Sequence, residues 1–251
     1  MLKLFDIIII YVYGGMIMKK VLIFGLVFCI LFLPIVTMAA NFSDVNYYHW
    51  AYDNIEKTSD VGVFGGYEDG TFQPEKYVSF LEIFSIIQRM SNPSSEDLQR
   101  ANSLYGDVSN QYNISQWARS GIEYGLYKNI LYESEIKAAS ESGILTDVPV
   151  GDSDFPSREQ IAVFFGRFLE VAPDFDHSGL EYDDIDTIGN AIANDLSVSD
   201  YLSPLVDLGI FEGQGSEGLF EPTRPFRRAE MAKIVDSSLE YLSENDEENL
   251  E

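Results

Sequence analysis

A short pattern that recurs three times along the chain limits its fold more than any other feature. Three segments open alike: Phe42-Ser43-Asp44-Val45, Tyr105-Gly106-Asp107-Val108 and Tyr182-Asp183-Asp184-Ile185. Each is an aromatic residue, any residue, Asp, then a β-branched residue. In the first two a Trp-Ala pair follows, Trp50-Ala51 and Trp117-Ala118, with Ile55 and Ile122 placed to share a helical face with it. Each segment also closes on a helix, starting near Ser79, Ser157 and Arg227. Ser79 with Glu82, and Ser157 with Gln160, have capping-box spacing. Aligning Glu82, Gln160 and Glu230 brings Ile83, Ile86 and Ile87 into register with Ile161, Phe164 and Phe165, and with Met231, Ile234 and Val235. One apolar stripe at helical period is thus written three times. Repeated units that cannot bury such a stripe alone must pack on one another.

Between opening and closing helix the first copy carries Gly65-Gly66-Tyr67-Glu68-Asp69-Gly70-Thr71-Phe72-Gln73-Pro74. The third carries a comparable loop, Glu212 to Pro222, rich in glycine and also ending in proline. Glycine permits positive φ and close backbone approach, and proline ends the loop ahead of the next helix. The second copy departs: Leu131 to Phe155 form a longer stretch in which only Gly151-Asp152-Ser153-Asp154 suggests the same turn. Ser91 to Arg100 and Pro173 to Glu181 read as linkers.

Ahead of the repeats, Met18-Lys19-Lys20 opens an almost unbroken apolar run, Val21 to Val36, followed by Thr37-Met38-Ala39-Ala40. This is the order of a secretory signal peptide, residues 18–40, with cleavage after Ala39 or Ala40. Residues 1–17 lie upstream and read as an over-long start; an extra apolar segment or an uncleaved anchor is the alternative. The single cysteine, Cys29, sits in the apolar run behind the bulky Phe28, so the mature chain has neither disulfide nor thiolate.

Of 251 residues, 46 % are hydrophobic, enough for a sizeable core, and the formal net charge is −25. A nucleic-acid binder needs a basic footprint, which this chain lacks. An anionic membrane surface repels it, so no membrane contact is expected after signal cleavage. The charge suits solubility or divalent cations. The two histidines, His49 and His177, lie in an opening loop and a linker. No nucleophile elbow and no metal-spaced His pair appears, so the chain is expected not to be an enzyme and to use no cofactor or metal. Asp174-Phe175-Asp176-His177-Ser178-Gly179 starts like a calcium loop, but Ile185 stands where the bidentate Glu is required. The acidic residues 243–251 read as a solvated tail without fixed structure.

These residues resemble the S-layer homology family. Its pattern runs Phe-any-Asp-Val, Trp-Ala, a Gly-Tyr-any-Asp-Gly-Thr-Phe-any-Pro loop, then Thr-Arg-Ala-Glu. Phe42 to Met90 matches closely, the stretch Gly66 to Pro74 most specifically. Ala191 to Leu242 matches well at its end, through Phe220, Pro222 and Arg228-Ala229-Glu230; Tyr105 to Phe168 matches more weakly. The resemblance implies repeats at 41–92, 103–172 and 180–242, the second diverged by an insertion. It implies a mainly α fold, a pseudo-threefold assembly of helix-loop-helix units around a central three-helix bundle. It also implies a secreted protein of the cell surface, wall or S-layer. Grooves between repeats would bind an anionic secondary cell-wall polysaccharide, often pyruvylated.

The family's motif arginine falls on Arg158 and Arg228; the first copy has Phe80 there. An arginine fork pairs with a carboxylate, and a helix start beside it adds free N–H groups. Arg228 with Arg224 and Arg227 makes the one local basic patch. Arg158 reads either as such an anchor or as a solvated helix-start residue. Trp50 and Trp117 read either as core rings or as platforms for a sugar. Asp44, Asp107 and Asp184 cap the following turn, pair with a groove cation, or touch the sugar. Gly66 and Tyr67 line the loop, where Tyr67 also packs. No single copy holds the whole set: the first lacks the arginine, the third the tryptophan, the second the loop. Cell-surface anchoring is the function implied. The alternative is a structural repeat protein whose degenerate grooves hold other S-layer or envelope proteins.

Overall fold

The computed structural model describes residues 42–189, 196–212 and 218–248. The signal-peptide and start-site expectations fall on residues outside these. Among the described residues there are eight α-helices and no strand, only isolated bridges between Tyr77 and Arg227 and between Ser157 and Pro225. In chain order the helices are α1 (Tyr52–Asp60), α2 (Phe80–Ser91), α3 (Ser95–Gln111), α4 (Arg119–Tyr127), α5 (Glu133–Ser142), α6 (Arg158–Phe168), α7 (Val198–Asp207) and α8 (Arg228–Glu248). The fold is mainly α, as the repeat pattern requires. No helix among the described residues is long and apolar enough to cross a membrane.

The closing helices are α2, α6 and α8. Both capping boxes form: the Ser79 and Ser157 hydroxyls accept from Glu82 N–H and Gln160 N–H, and the N3 side chains reach back to the cap backbone. The third start keeps half of the device, Arg227 N–H donating to Glu230 at 2.8 Å. The stripes are buried in all three: Ile83, Ile87, Ile161, Phe165, Met231 and Val235 are sealed from solvent. The starts are laced together by backbone hydrogen bonds. Val78 N–H donates to Phe226 O, Arg158 N–H to Arg224 O and Arg228 N–H to Lys76 O, at 2.8–3.0 Å. Phe164 of α6 meets Phe80 and Phe84 of α2 at 5.8 and 4.9 Å, so the first two closing helices share an aromatic seam.

The opening helices are α1, α4 and α7, and each lies against the closing helix of the preceding repeat. Helix α4 packs on α2, α7 on α6, and α1 on α8, which closes the cycle. Two of these contacts depend on glycine. A Cβ on Gly121 would stand 2.7 Å from the backbone of Phe84, and one on Gly166 would stand 2.7 Å from the ring of Tyr201.

All three opening helices also stop in the same way. Gly62, Asn129 and Gly209 adopt positive φ (74°, 56° and 68°). The next two residues are apolar and both N–H groups return to one carbonyl. Val63 and Phe64 donate to Thr58 O, Ile130 and Leu131 to Gly125 O, and Ile210 and Phe211 to Leu205 O. This left-handed stop drives a buried apolar pair into the core three times.

Three expectations are corrected. The second copy's opening, Tyr105 to Val108, is not a turn but the middle of α3, which runs back into the expected linker as far as Ser95. Ser94 caps that helix by accepting from Asp97 N–H, and Glu96 and Asp97 suit its positive end. The stretch from Leu131 to Phe155 is not all loop, since it holds α5. The acidic tail is helical as far as Glu248, as α8 continues through it.

Candidate functional site

The first-copy loop is built tightly around Gly66, where a Cβ would collide with the Phe42 ring and stand 2.7 Å from Thr71 O. Tyr67 N–H donates to Thr71 O, and Gly70 turns back at φ 78° to donate to Tyr67 O. Asp69 accepts from the Thr71 hydroxyl and N–H, which holds its carboxyl below the usual range. Asp44 straps the end of the loop, its two oxygens accepting from Phe72 N–H and Gln73 N–H at 2.8 Å. Asp184 does the same for Phe220 and Glu221, at 2.8 and 2.7 Å. These two aspartates are therefore loop straps. Asp107 has no such role: it is exposed within α3, away from any equivalent loop.

Each motif arginine enters the loop of the following repeat. Arg228 Nε donates to Phe72 O (2.8 Å) and Nη2 to Gly65 O (2.7 Å), while Nη1 lies 3.6 Å from Glu82. Its guanidinium lies over Phe64, Tyr67 and Phe72 at 4.6–4.8 Å. Arg158 Nε donates to Phe220 O at 2.7 Å, with the guanidinium 4.1 Å from the Phe226 ring. Burial lowers both pKa values, that of Arg158 to about 10, so both remain cationic at neutral pH. Arg158 is 1 % exposed. It is not a solvated residue, and it ties the second repeat to the third.

By the same cyclic step, Arg228 of the third repeat reaches the margin of a cleft of about 420 Å³ between the first and second repeats. Gly66, Tyr67 and Lys76 come from the first-copy loop, Ser79, Glu82 and Arg89 from the start and outer face of α2, and Trp117 and Asp147 from the second copy. Phe64, Ile86, Val148, Pro149 and Phe155 supply apolar walls. Trp117 is 53 % exposed, and its Nε1–H donates to Asp147 at 3.1 Å, which fixes the ring at the rim. Asp147 also accepts from the Ser115 hydroxyl. Lys76 Nζ donates to Tyr67 Oη at 3.0 Å, and Arg89 Nη1 to Val63 O at 3.3 Å, leaving further donors on each. Both acids lining the cleft are engaged, Glu82 by Ser79 N–H and Asp147 by Trp117. The cleft thus joins three cations, polar donors and an aromatic rim.

The loop, the tryptophan and the arginine, each missing from some copy, meet here because each comes from a different copy. Counting them within a copy hid this. Lys76, Arg89 and Asp147 were not singled out from the sequence. A signal for Arg89 was present: it stands seven residues after Glu82, as Arg167 does after Gln160. Both donate to the first apolar residue of the helix stop, Val63 O and Ile130 O.

The corresponding cleft one step round the cycle, about 400 Å³, has Phe80 in place of the arginine. Ala138, Ala139, Ile144, Val163 and Phe164 line it, with Glu135 and Glu159 and no Lys or Arg. At the third position the arginines of the expected basic patch stand in ion pairs. Arg224 pairs with Glu230 and Glu221 (2.7 and 2.8 Å), Arg227 with Glu75 (3.0 Å) and Arg228 with Glu82. Trp50 there is 59 % exposed and stacks on His49. Neither tryptophan is a core ring. In the segment that starts like a calcium loop, the Asp174 and Asp176 carboxylates cap their own turns.

Residues 41–83 and 181–232 match the S-layer homology domain, falling on the first and third repeats. A stretch of 77 residues is 38 % identical to Cell surface glycoprotein 1 of Acetivibrio thermocellus, covering 31 % of this chain and 3 % of that protein. The chain therefore spans only a small part of the length of that relative.

Proposed function

The chain carries S-layer homology domains, and from that premise we propose that it anchors at a bacterial cell surface by holding an anionic wall polysaccharide in the cleft between its first and second repeats. The observation that carries this reading is the convergence there of Arg228, Lys76 and Arg89 with the Trp117 rim. A carboxylate-bearing sugar, such as a pyruvylated one, meets guanidinium and ammonium donors at one end and the indole face at the other. The overall negative charge opposes approach of such a polymer. Screening over about 8 Å at physiological salt confines that repulsion, and the local cations decide the contact. We read the chain as a non-catalytic binding module that is exported.

Among the described residues, this charged cleft is the polymer site we assign. The second cleft holds Phe80 instead of a cation, and the other motif arginine, Arg158, lies over Phe220 and Phe226. The apolar second cleft favours a packing or protein-contact role at that position.

The test is retention on purified cell walls before and after extraction of the anionic polymer. Arg89→Ala and Trp117→Ala alter exposed side chains. Each is expected to weaken retention about five- to thirtyfold, as the loss of one charged or aromatic contact of about one to two kcal/mol implies. Equal retention of both variants, or retention on extracted walls, would defeat the reading.

A further inference from the structure

The cleft between the second and third repeats has a chemistry opposite to that of the charged one. Its floor is apolar: Phe80 at the start of α2, Ala139 of α5, Ile144 just after it, and Val163 and Phe164 of α6 are all buried. Its mouth is made of small and polar residues, with Ala138, Ser142 and Gln160 exposed. A ligand therefore reaches the floor by passing side chains inward. No Trp or Tyr lines the cleft and both phenylalanines are buried, so it offers no open ring face to a flat ligand.

The charges around this cleft lean one way. No Lys or Arg lines it. Of the two lining carboxylates, Glu135 is already paired, both oxygens lying 2.9 Å from Arg167 Nη1. Glu159 accepts from Gly189 N–H at 2.8 Å, and it belongs to none of the ion pairs among the described residues. Arg158, its neighbour in sequence, is turned to Phe220 O instead. Ser142 ends α5, whose last turn holds no basic residue, so the negative end of that helix also opens on the mouth. Beyond the cleft, the chain carries 41 acidic against 16 basic side chains. A basic partner is drawn to such a surface, whereas an anionic polymer, or a second copy with the same excess of acid, is repelled.

We infer that this cleft docks a basic segment of another protein, one in which an aliphatic side chain stands next to a Lys or Arg. The aliphatic chain enters over Phe80, Val163 and Phe164, and the cation rests between Glu159 and the end of α5. Ser142 and Gln160 supply hydrogen bonds to the peptide backbone. The inference does not depend on what the charged cleft holds.

Amide NMR spectra of the isotope-labelled full chain, titrated with the capped peptide acetyl-Gly-Leu-Lys-Gly-amide, test it. Saturable shifts are expected at Ala138, Ser142 and Gly189. Exchanging the peptide's Lys for Glu, or its Leu for Gly, is expected to abolish them. Glu159→Gln keeps an acceptor for Gly189 N–H but not the charge, and should weaken binding about two- to fivefold, the scale of one exposed ion pair. Ala138→Trp sets a bulky ring over the mouth from an exposed position and should abolish binding, with the circular dichroism melt unchanged. Arg89→Ala, in the charged cleft, is expected to bind the peptide as the parent does, which separates this inference from the polymer reading. No saturable shift, equal binding of the Glu-bearing peptide, parent-like binding by either cleft variant, or loss of binding in Arg89→Ala would overturn it. So would tighter binding of monomeric dodecyl maltoside, which would assign the cleft to an acyl chain, or a concentration-dependent dimer that Ala138→Trp abolishes.

Discussion

At the scale of single residues, the motif positions serve the fold before they serve a ligand. Asp44 and Asp184 each satisfy two loop N–H groups, and Arg228 satisfies two loop carbonyls belonging to another repeat. Removing that guanidinium leaves Phe72 O and Gly65 O without their partner. Arg228→Ala is therefore expected to cost about 2–4 kcal/mol in denaturant unfolding, on the scale of a broken buried network. Arg228→Lys keeps the charge but cannot fork to both carbonyls, so it falls between the two. A full loss of wall retention with unchanged stability in Arg228→Ala would contradict this structural role. Glu230 gives a pH signature. Burial raises its pKa, but the Arg224 guanidinium, Arg227 N–H and Arg158 outweigh that and hold it below its ordinary value. A folded pKa below the unfolded one adds stability above about pH 4.5 that fades as the pH falls through the folded value. Glu230→Gln should thus melt lower than the parent near neutral pH and converge with it as the pH falls through the folded value. A gap that persists undiminished in acid would mean the loss comes from packing.

At the scale of elements, the repeated helix stop offers a controlled comparison. Gly62 and Asn129 hold equivalent left-handed positions with different residues. Gly62→Ala meets open space, so only backbone strain opposes it, and a loss of about 1–2 kcal/mol is expected. Asn129→Gly should change stability by a few tenths at most. Thermal melts resolve the difference as a shift of roughly 2–4 °C per kcal/mol at this size. Gly121→Ala is different in kind. Its Cβ would press on the Phe84 backbone, which cannot rotate aside, so α4 must retreat from α2 at about 1–3 kcal/mol or more. The closing helices were readable because capping boxes and a 3.6-residue stripe are local signals. The helix stops were overlooked because their mark is only Gly or Asn ahead of two apolar residues. In the second repeat, Tyr105 to Val108 copies the opening motif, yet α3 absorbs it, since Ser94 and an acidic first turn start a helix upstream. The site itself was the least legible part. Trp117, Tyr67 and Arg228 are far apart in sequence, and only cyclic packing brings them to one cleft.

At the scale of the whole molecule, the order of contacts decides how the chain unfolds. A linear repeat array has two ends, and each unit leans only on its neighbours. Here the last closing helix returns to the first opening helix, so every repeat touches both others. The seam is marked by Asp236 of α8, which accepts from Asn54 (2.8 Å) and Lys57 (3.1 Å) of α1. Arg228 and Lys76 join the same two repeats at the helix starts. Opening the seam therefore strips the first-copy loop of the guanidinium that holds it, and with it one wall of the charged cleft. The folded region should behave as one cooperative unit, with no repeat melting alone. Urea unfolding followed by tryptophan emission reports Trp50 and Trp117, both in the first two repeats, whereas far-UV circular dichroism reports all the helices. The two curves are expected to coincide. Asp236→Ala, far in sequence from either tryptophan, should lower both midpoints together by an amount equivalent to about 1 kcal/mol, with an unchanged slope. Separate transitions for the two probes, or a lower midpoint in one probe alone, would show that the seam is not closed in solution and that the cleft is assembled by neighbouring repeats without the third.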